Sequence, residues 1–250
     1  MELMQKVTII TVCYNVKEAL SKTVESVLGQ DYQNLEYIII DGQSTDGTSD
    51  YLKSLPADRI KWISEPDGGI YDAMNKGVKM ATGQWILFMN AADTFVDSSI
   101  VSQVFANDTS DAEIIYGAVQ KNGVVKQAEP VHNSHRMFFC HQCVFTRDYL
   151  LRDNPFDTHY KMSADFKFFK QMVLQKRRFL KTDIAIANFD TSGISNSSRA
   201  AGVAENIRII FELDSTFDKL RLAPRMIFQY IMCKLRGWVR NLAKNNQHEQ

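Results

Sequence analysis

A series of carboxylates and amides in the first hundred residues stands at the ends of apolar runs: Asn15, Asp41, Asp67, Asp72, Asn90 and Asp93. Carboxylate oxygens can hold a hard divalent cation or accept hydrogen bonds from a ligand, and an amide can both donate and accept. The second half adds His141 and Asp165, side chains of the types that move protons in catalysis. Asp165 is also suitably placed as an acidic residue in the first turn of a helix, where the helix dipole favours its charge. A rival chemistry sits between these groups. His132-x-x-His135 followed by Cys140-x-x-Cys143 supplies the ligand types of a tetrahedral zinc site, although its two pairs lie closer together than in the usual fingers.

The elements that must position these groups alternate between strand and helix. Val7 to Tyr14 reads as a strand buried on both faces, and Asn15 with Glu18 matches a capping box at the start of a helix carrying Leu20, Val24 and Val27. Leu35 to Ile40, Ile60 to Ser64 and Trp85 to Met89 read as three more strands, with a short helix near Tyr51 and a longer one from Ile70 to Ala81 stopped by Gly83. This alternation implies a mainly parallel twisted sheet with right-handed crossovers and helices on both faces. Ligands of such sheets bind beyond the carboxyl ends of the strands, where Asn15, Asp41, the 65–72 stretch, Asn90 and Asp93 converge. Beyond residue 110 the sequence reads as a hairpin from Ile114 to Gln127 turning at Asn122-Gly123, a strand from Gln142 to Thr146, a helix from Ala164 to Leu174 and a strand from Phe179 to Asn188. A Ser/Asn-rich loop from Thr191 to Ser198 then leads to a helical tail.

Thr11-Val12-Cys13-Tyr14-Asn15, Asp41-Gly42-Gln43-Ser44-Thr45-Asp46-Gly47-Thr48, the run Glu65 to Gly77 and Phe88-Met89-Asn90-Ala91-Ala92-Asp93 occur in that order between these elements. Together they resemble the family 2 inverting glycosyltransferases of GT-A fold, of the bacterial cell-surface polysaccharide type. The resemblance is dense from about Val7 to Phe95, looser from His141 to Asp190, and absent from the last fifty residues. It implies an α/β, Rossmann-like nucleotide-binding fold with a glycosyltransferase domain over residues 1–198, divided near residue 110 into donor and acceptor halves, and a helical tail over 199–250.

The resemblance also implies roles. Asp93 holds Mn²⁺ or Mg²⁺ against the diphosphate of a nucleotide-sugar donor; its alternative is a cap for the next helix. Asp41 accepts from the base, which favours uridine; its alternative is a turn before Gly42. Thr11, Tyr14 and Asn15 line the nucleoside pocket, Tyr14 by stacking or by simple packing. Asp67, Asp72, Asn75 and Asn90 complete the nucleotide-sugar contacts. Asp46 is expected as a turn or helix cap, and Lys76 on a solvated helix face. Ser163-Ala164-Asp165-Phe166 matches the catalytic acidic motif, with Asp165 as general base, and His141 touches the acceptor or the phosphates. Two positions depart from the family pattern: Asn90 and Ala92 stand where many members carry acids, and Ala164 precedes the lone Asp165. A catalytically inactive nucleotide-sugar binding protein is therefore the alternative. A sugar-phosphate nucleotidylyltransferase ranks lower, because Tyr14-Asn15-Val16-Lys17 replaces the glycine-rich loop expected there.

The chain has 250 residues, 45% of them hydrophobic and 23% charged, which suits a globular α/β protein. A formal net charge of zero gives no basic field for nucleic acid. Neither a secretory leader pattern nor an apolar run of about 18 residues is present, and the four cysteines do not resemble a disulfide framework, so a cytoplasmic setting is expected. From Lys219 to Lys244 the chain is basic without a single carboxylate, and Met226, Ile227, Tyr230, Ile231, Lys234, Leu235 and Trp238 fall at helical spacing. Such a helix either packs back on the domain or lies on an anionic membrane surface, placing the protein at the inner face of the membrane, where a saccharide or lipid-linked saccharide acceptor would be met.

Overall fold

The computed structural model describes residues 4–106, 108–190 and 199–248. The expected loop 191–198 and the side chain of Trp238 lie outside the described residues. The first half follows the alternation: β1 (Val7–Cys13), α1 (Lys17–Leu28), β2 (Leu35–Asp41), α2 (Thr48–Ser54), β3 (Ile60–Ser64), α3 (Ile70–Met80) and β4 (Trp85–Phe88). These four strands pair in parallel, in the order β3-β2-β1-β4.

The second half continues the same sheet with antiparallel members. It comprises β5 (Thr94–Phe95), α4 (Ile100–Phe105), β6 (Ile114–Lys121), β7 (Val124–Lys126), a 3₁₀ turn at His141–Cys143, β8 (Val144–Arg147), α5 (Asp148–Asp153), α6 (Ala164–Leu174) and β9 (Phe179–Asn188). The sheet runs β3-β2-β1-β4-β8-β6-β9-β5, with β7 paired to β6. β8 is antiparallel to both β4 and β6, whereas β9 is parallel to β6. The β6–β7 turn has Asn122 and Gly123 both at positive φ, 49° and 77°, as a type I′ turn requires.

Because both faces of the central strands are covered, every residue of β1 is buried. Ile10, Val12, Ile38 and Ile40 point to a core shared with Met74 and Val78 of α3 and the aromatic side chains of α6. Val7, Ile9, Tyr37 and Ile39 point to the opposite core, with Leu20, Val24 and Val27 of α1. Two local expectations change. Asn15 does not cap α1: its backbone is left-handed, φ 52°, and Val16 takes the cap position without a side-chain bond. Gly83 does not stop α3, which ends as Ala81 turns extended. Gly83 is small because a Cβ there would lie 2.5 Å from Thr8 Oγ1 and 2.9 Å from Lys6 O, where the turn presses on β1.

The tail forms α7 (Arg199–Leu213) and α8 (Thr216–His248). They pack on each other through Val203, Ile210, Leu222, Ala223 and Met226, with Ile207 and Tyr230 against that cluster. Glu205 of α7 accepts from the backbone N–H groups of Lys161 and Met162, both at 2.9 Å, which fixes the helix pair to the segment leading into α6. No helix among the described residues is long and apolar enough to cross a membrane.

Candidate active site

The cleft opens where the expected side chains leave the parallel strands. At the end of β1, Tyr14 is exposed, and Asn15 joins two loops: its N–H donates to Ser44 Oγ at 2.7 Å and its Oδ1 accepts from Thr45 N at 2.8 Å. Gly42 follows β2 and faces both Tyr14 and Asp67. A Cβ on it would come within 2.6 Å of Asp67 Oδ2 and 3.3 Å of Tyr14 Cδ2. Tyr14, Gly42 and Asp67 thus border a narrow slot open to solvent, with the aromatic face of Tyr14 available for stacking.

Several residues expected to contact the donor have partners within the protein. Thr11 lies in the sheet on the same face as Ile9 and Cys13; its hydroxyl donates to Met89 O at 2.7 Å and meets Tyr37 Oη at 3.0 Å, inside the core. Asp41 is fully buried beneath the slot, where Ser44 Oγ donates to it at 2.5 Å, Ser64 Oγ at 2.6 Å and Ser44 N at 3.1 Å. These donors make Asp41 the organiser of the floor. Asn75 spends both ends of its amide on the backbone of Phe156, at 2.8 and 2.9 Å, and so clamps α3 to the acceptor half. Asp72 accepts from Gly68 N at 2.9 Å and Asp67 from Gly69 N at 2.8 Å, shaping the loop before α3. Lys76 is not on a free solvated face: it pairs with Glu65 at 2.8 Å and donates to Pro66 O at 2.7 Å. Asp46 accepts from Lys17 N and from Thr48 N and Oγ1, as a cap should.

The turn after β4 carries a conformational strain. Ala92 sits at φ 83°, a region disfavoured for a residue with a Cβ. Thr23 of α1 holds it there, accepting from Ala92 N at 3.0 Å and donating to Asp93 O at 2.8 Å. The turn points Asp93 inward, where it is 4% exposed and accepts from Asp190 N at 2.8 Å. Burial and the neighbouring Asp190 charge push its carboxyl up to about 6, against the opposing effects of the Asp190 N–H, the Gln142 side chain and His141.

His141 is buried among the rings of Phe88, Phe156 and Phe169. Its Nδ1 lies 3.5 Å from Asp165 Oδ2, and neither ring nitrogen has a hydrogen-bond partner. Asp165, in the first turn of α6, accepts from Tyr71 Oη at 2.8 Å and from Phe166 N at 2.8 Å. Burial alone would raise the Asp165 carboxyl, yet His141, Tyr71 and the backbone donor hold it below the ordinary carboxylate value. It is therefore ionised at neutral pH, as a proton acceptor must be. Asn90 Oδ1 is also buried without a partner. Buried orphan polar atoms are uncommon in folded proteins, and those of Asn90 and His141 stand at two of the candidate site residues.

The rival zinc site does not form. Among the described residues no group of three or more His, Cys, Asp or Glu side chains is arranged to hold a metal. His132 meets Pro130 O, Cys143 is fully buried, and Cys140 donates to Gln142 Oε1. The oxygens of Asp93 fit a hard divalent cation that takes few protein ligands and completes its shell with phosphate and water, and the raised Asp93 carboxyl fits a group awaiting a positive partner. Residues given no role from the sequence complete the site: Tyr71 on Asp165, Asp190 on Asp93, and Thr23 under the turn; Gln142, which the sequence pairs with His141, also acts on Asp93. Asp190 follows the end of β9 and carried the same strand-end signal as the others.

Residues 8–178 match the family described as Glycosyl transferase family 2. The chain is 29% identical over 219 residues to an uncharacterized glycosyltransferase of Mycobacterium tuberculosis, covering 83% of each. It is 36% identical over 114 residues, 45% of each chain, to a UDP-Glc:alpha-D-GlcNAc-diphosphoundecaprenol beta-1,3-glucosyltransferase of Escherichia coli. A mannosyltransferase of Pyrobaculum calidifontis, solved with GDP-Man and Mn²⁺, superposes with a TM-score of 0.66 at 16% identity over 84% of this chain and 64% of that one, which shows the shared GT-A fold. The fold is that of GT-A glycosyltransferases, and the family match covers more than half of the chain. The chain belongs to glycosyl transferase family 2 and is a glycosyltransferase.

Proposed function

We propose that the protein transfers a sugar from a nucleoside diphosphate donor, a uridine diphosphate sugar, to a saccharide or lipid-linked saccharide acceptor with inversion at the anomeric carbon. The product serves cell-surface polysaccharide or glycolipid assembly, and the protein works in the cytoplasm at the inner face of the membrane. The observation that carries this reading is Asp165, held ionised by Tyr71 and His141, with the same imidazole acting on the carboxylate of Asp93. The relative from Escherichia coli, named for a UDP-glucose donor and a diphosphoundecaprenol-linked acceptor, supports the substrate classes.

In this reading Tyr14 stacks on the base above Gly42 and beside Asp67. Asp93 would hold Mn²⁺ or Mg²⁺, which supplies positive charge to the departing diphosphate. Asp165 takes the proton from the acceptor hydroxyl as its oxygen bonds to the anomeric carbon, and the carbon–phosphate oxygen bond breaks on the opposite face. His141 offers its unpartnered Nε2 to the donor phosphates or the acceptor. The test is calorimetric binding of UDP and GDP with Mn²⁺, Mg²⁺ or chelator, to wild type and Asp93→Ala, followed by turnover of UDP-sugars with a polyprenyl-diphosphate saccharide. Metal-dependent UDP binding lost in the variant, together with turnover, supports the assignment. Absence of nucleotide binding under every condition overturns the donor site, and binding without turnover favours the inactive nucleotide-sugar binding protein.

A further inference from the structure

The long C-terminal helix has two apolar faces, and only one is used inside the protein. Leu222, Ala223, Met226 and Tyr230 turn inward onto α7. Phe217, Leu220, Ile227, Phe228, Ile231 and Leu235 turn outward, and the first two keep 74% and 73% of their surface exposed. Successive residues of an α-helix rotate by about 100°, so these six outward side chains fall within a stripe roughly 100° wide. Arg221 and Arg225 border one side of that stripe and Lys234 the other. Arg221 already shares its charge with Asp218 at 2.8 Å. No carboxylate follows Asp218 until Glu249.

We propose that this outward stripe of α8 docks the enzyme in plane on an anionic bilayer surface. An apolar stripe edged by cations matches a headgroup layer: the side chains enter the acyl boundary while the basic borders meet lipid phosphates. A second copy of the chain is a poorer occupant, because a two-fold interface would bring each basic border against its like. Glu205 ties the helix pair to Lys161 and Met162, four and three residues before Asp165, so docking holds the base-bearing helix beside the surface. This inference rests on the lipid-linked acceptor proposed above and names how the enzyme meets it.

The experiment is sedimentation of the full-length protein with phosphatidylcholine vesicles lacking or containing phosphatidylglycerol. Binding to the anionic vesicles, and little to the neutral ones, is expected. Arg225→Gln with Lys234→Gln should lower partitioning by about thirtyfold, on the basis of the usual attraction per basic residue. Phe217→Ser with Leu220→Ser and Phe228→Ser should abolish it. Protein that stays in the supernatant with anionic vesicles overturns the proposal. So does a dimer in solution that the triple substitution dissociates, which would make the stripe a self-association surface. UDP binding measured on the same proteins separates the two readings. These substitutions touch nothing in the cleft and should leave it unchanged, whereas wild type that fails to bind UDP counts against the donor site whatever the vesicles show.

Discussion

His141 Nδ1 stands 3.5 Å from Asp165 Oδ2, and the same ring lies close enough to Asp93 to favour that carboxylate's ionised form. One imidazole thus couples the proposed proton acceptor to the proposed cation site. Asp165→Asn keeps the shape and the Tyr71 contact but cannot take a proton. Turnover should fall by about 10²–10⁴-fold, the usual contribution of a general base, while UDP affinity stays close to that of wild type. A parallel loss of UDP affinity would mean that Asp165 holds the donor instead.

Tyr71 acts through Asp165 and is a positioning residue. Its hydroxyl is one of the donors that hold the Asp165 carboxyl low. Removing it in Tyr71→Phe raises that pKa, so the acid limb of the turnover profile must move to higher pH, with slower turnover on its acid side. A merely structural tyrosine would lower the rate at all pH values without moving the limb. The pH dependence of kcat/KM decides between them.

Asp93 makes opposite predictions for binding and for stability. Its folded pKa, about 6, lies above the ordinary carboxylate value of 3.8. A proton competes with the cation below pH 6, so metal-dependent UDP binding should strengthen as pH rises through that value. For the metal-free protein the sign reverses. The buried neutral acid contributes stability that is fully present below pH 3.8 and is lost as pH climbs through about 6. Asp93→Asn removes the buried charge and should stabilise the metal-free fold near pH 7.5 by up to about 3 kcal/mol, a rise of several degrees in Tm, while eliminating the cation response. Thermal melts with chelator and calorimetry with Mn²⁺ test both halves.

What could be read from the sequence follows the strength of local pattern. β3, α6 and β9 begin and end where their periodicity places them, because each carries enough apolar residues to show its period. The two-residue β5 and the six-residue α4 and α5 are too short to carry a period, and the antiparallel entry of β8 depends on pairing partners far away in the chain. In the site, strand ends singled out Asn15, Asp93 and the Asp67 loop as candidates without any contact information. The partners that Thr11 has inside the core were not legible, because a strand buried on both faces shows no polar and apolar sides to tell apart. Asn75 and Tyr71 find their partners 81 and 94 residues away, distances no local spacing reports.

Asn75→Ala tests that correction directly. If the amide clamps Phe156, its loss leaves a buried backbone N–H and C=O without partners and should cost about 1–3 kcal/mol of stability. UDP affinity should then be nearly unchanged at temperatures where the variant is folded. A variant as stable as wild type with weakened donor binding would restore Asn75 to the nucleotide-sugar contacts.

Gly42→Ala probes the slot itself. The new methyl would meet Asp67 Oδ2 and Tyr14 Cδ2 at 2.6 and 3.3 Å, but both side chains border open solvent and can turn aside. Gly42 lies outside the left-handed region, so the substitution adds no backbone strain. The fold should therefore tolerate the change while the new methyl fills the slot and displaces the two side chains that border it. UDP affinity should drop about tenfold or more, a loss of roughly 1.4 kcal/mol or greater, with Tm within a few degrees of wild type. Tyr14→Ala should produce a loss of about 1–3 kcal/mol if the ring stacks on the base, the usual range for base stacking on an aromatic side chain. In the double variant the two losses should fall short of additive, because Gly42 and Tyr14 shape the same face of the bound nucleoside. Full additivity would place the base elsewhere along the cleft and leave the slot to another part of the donor.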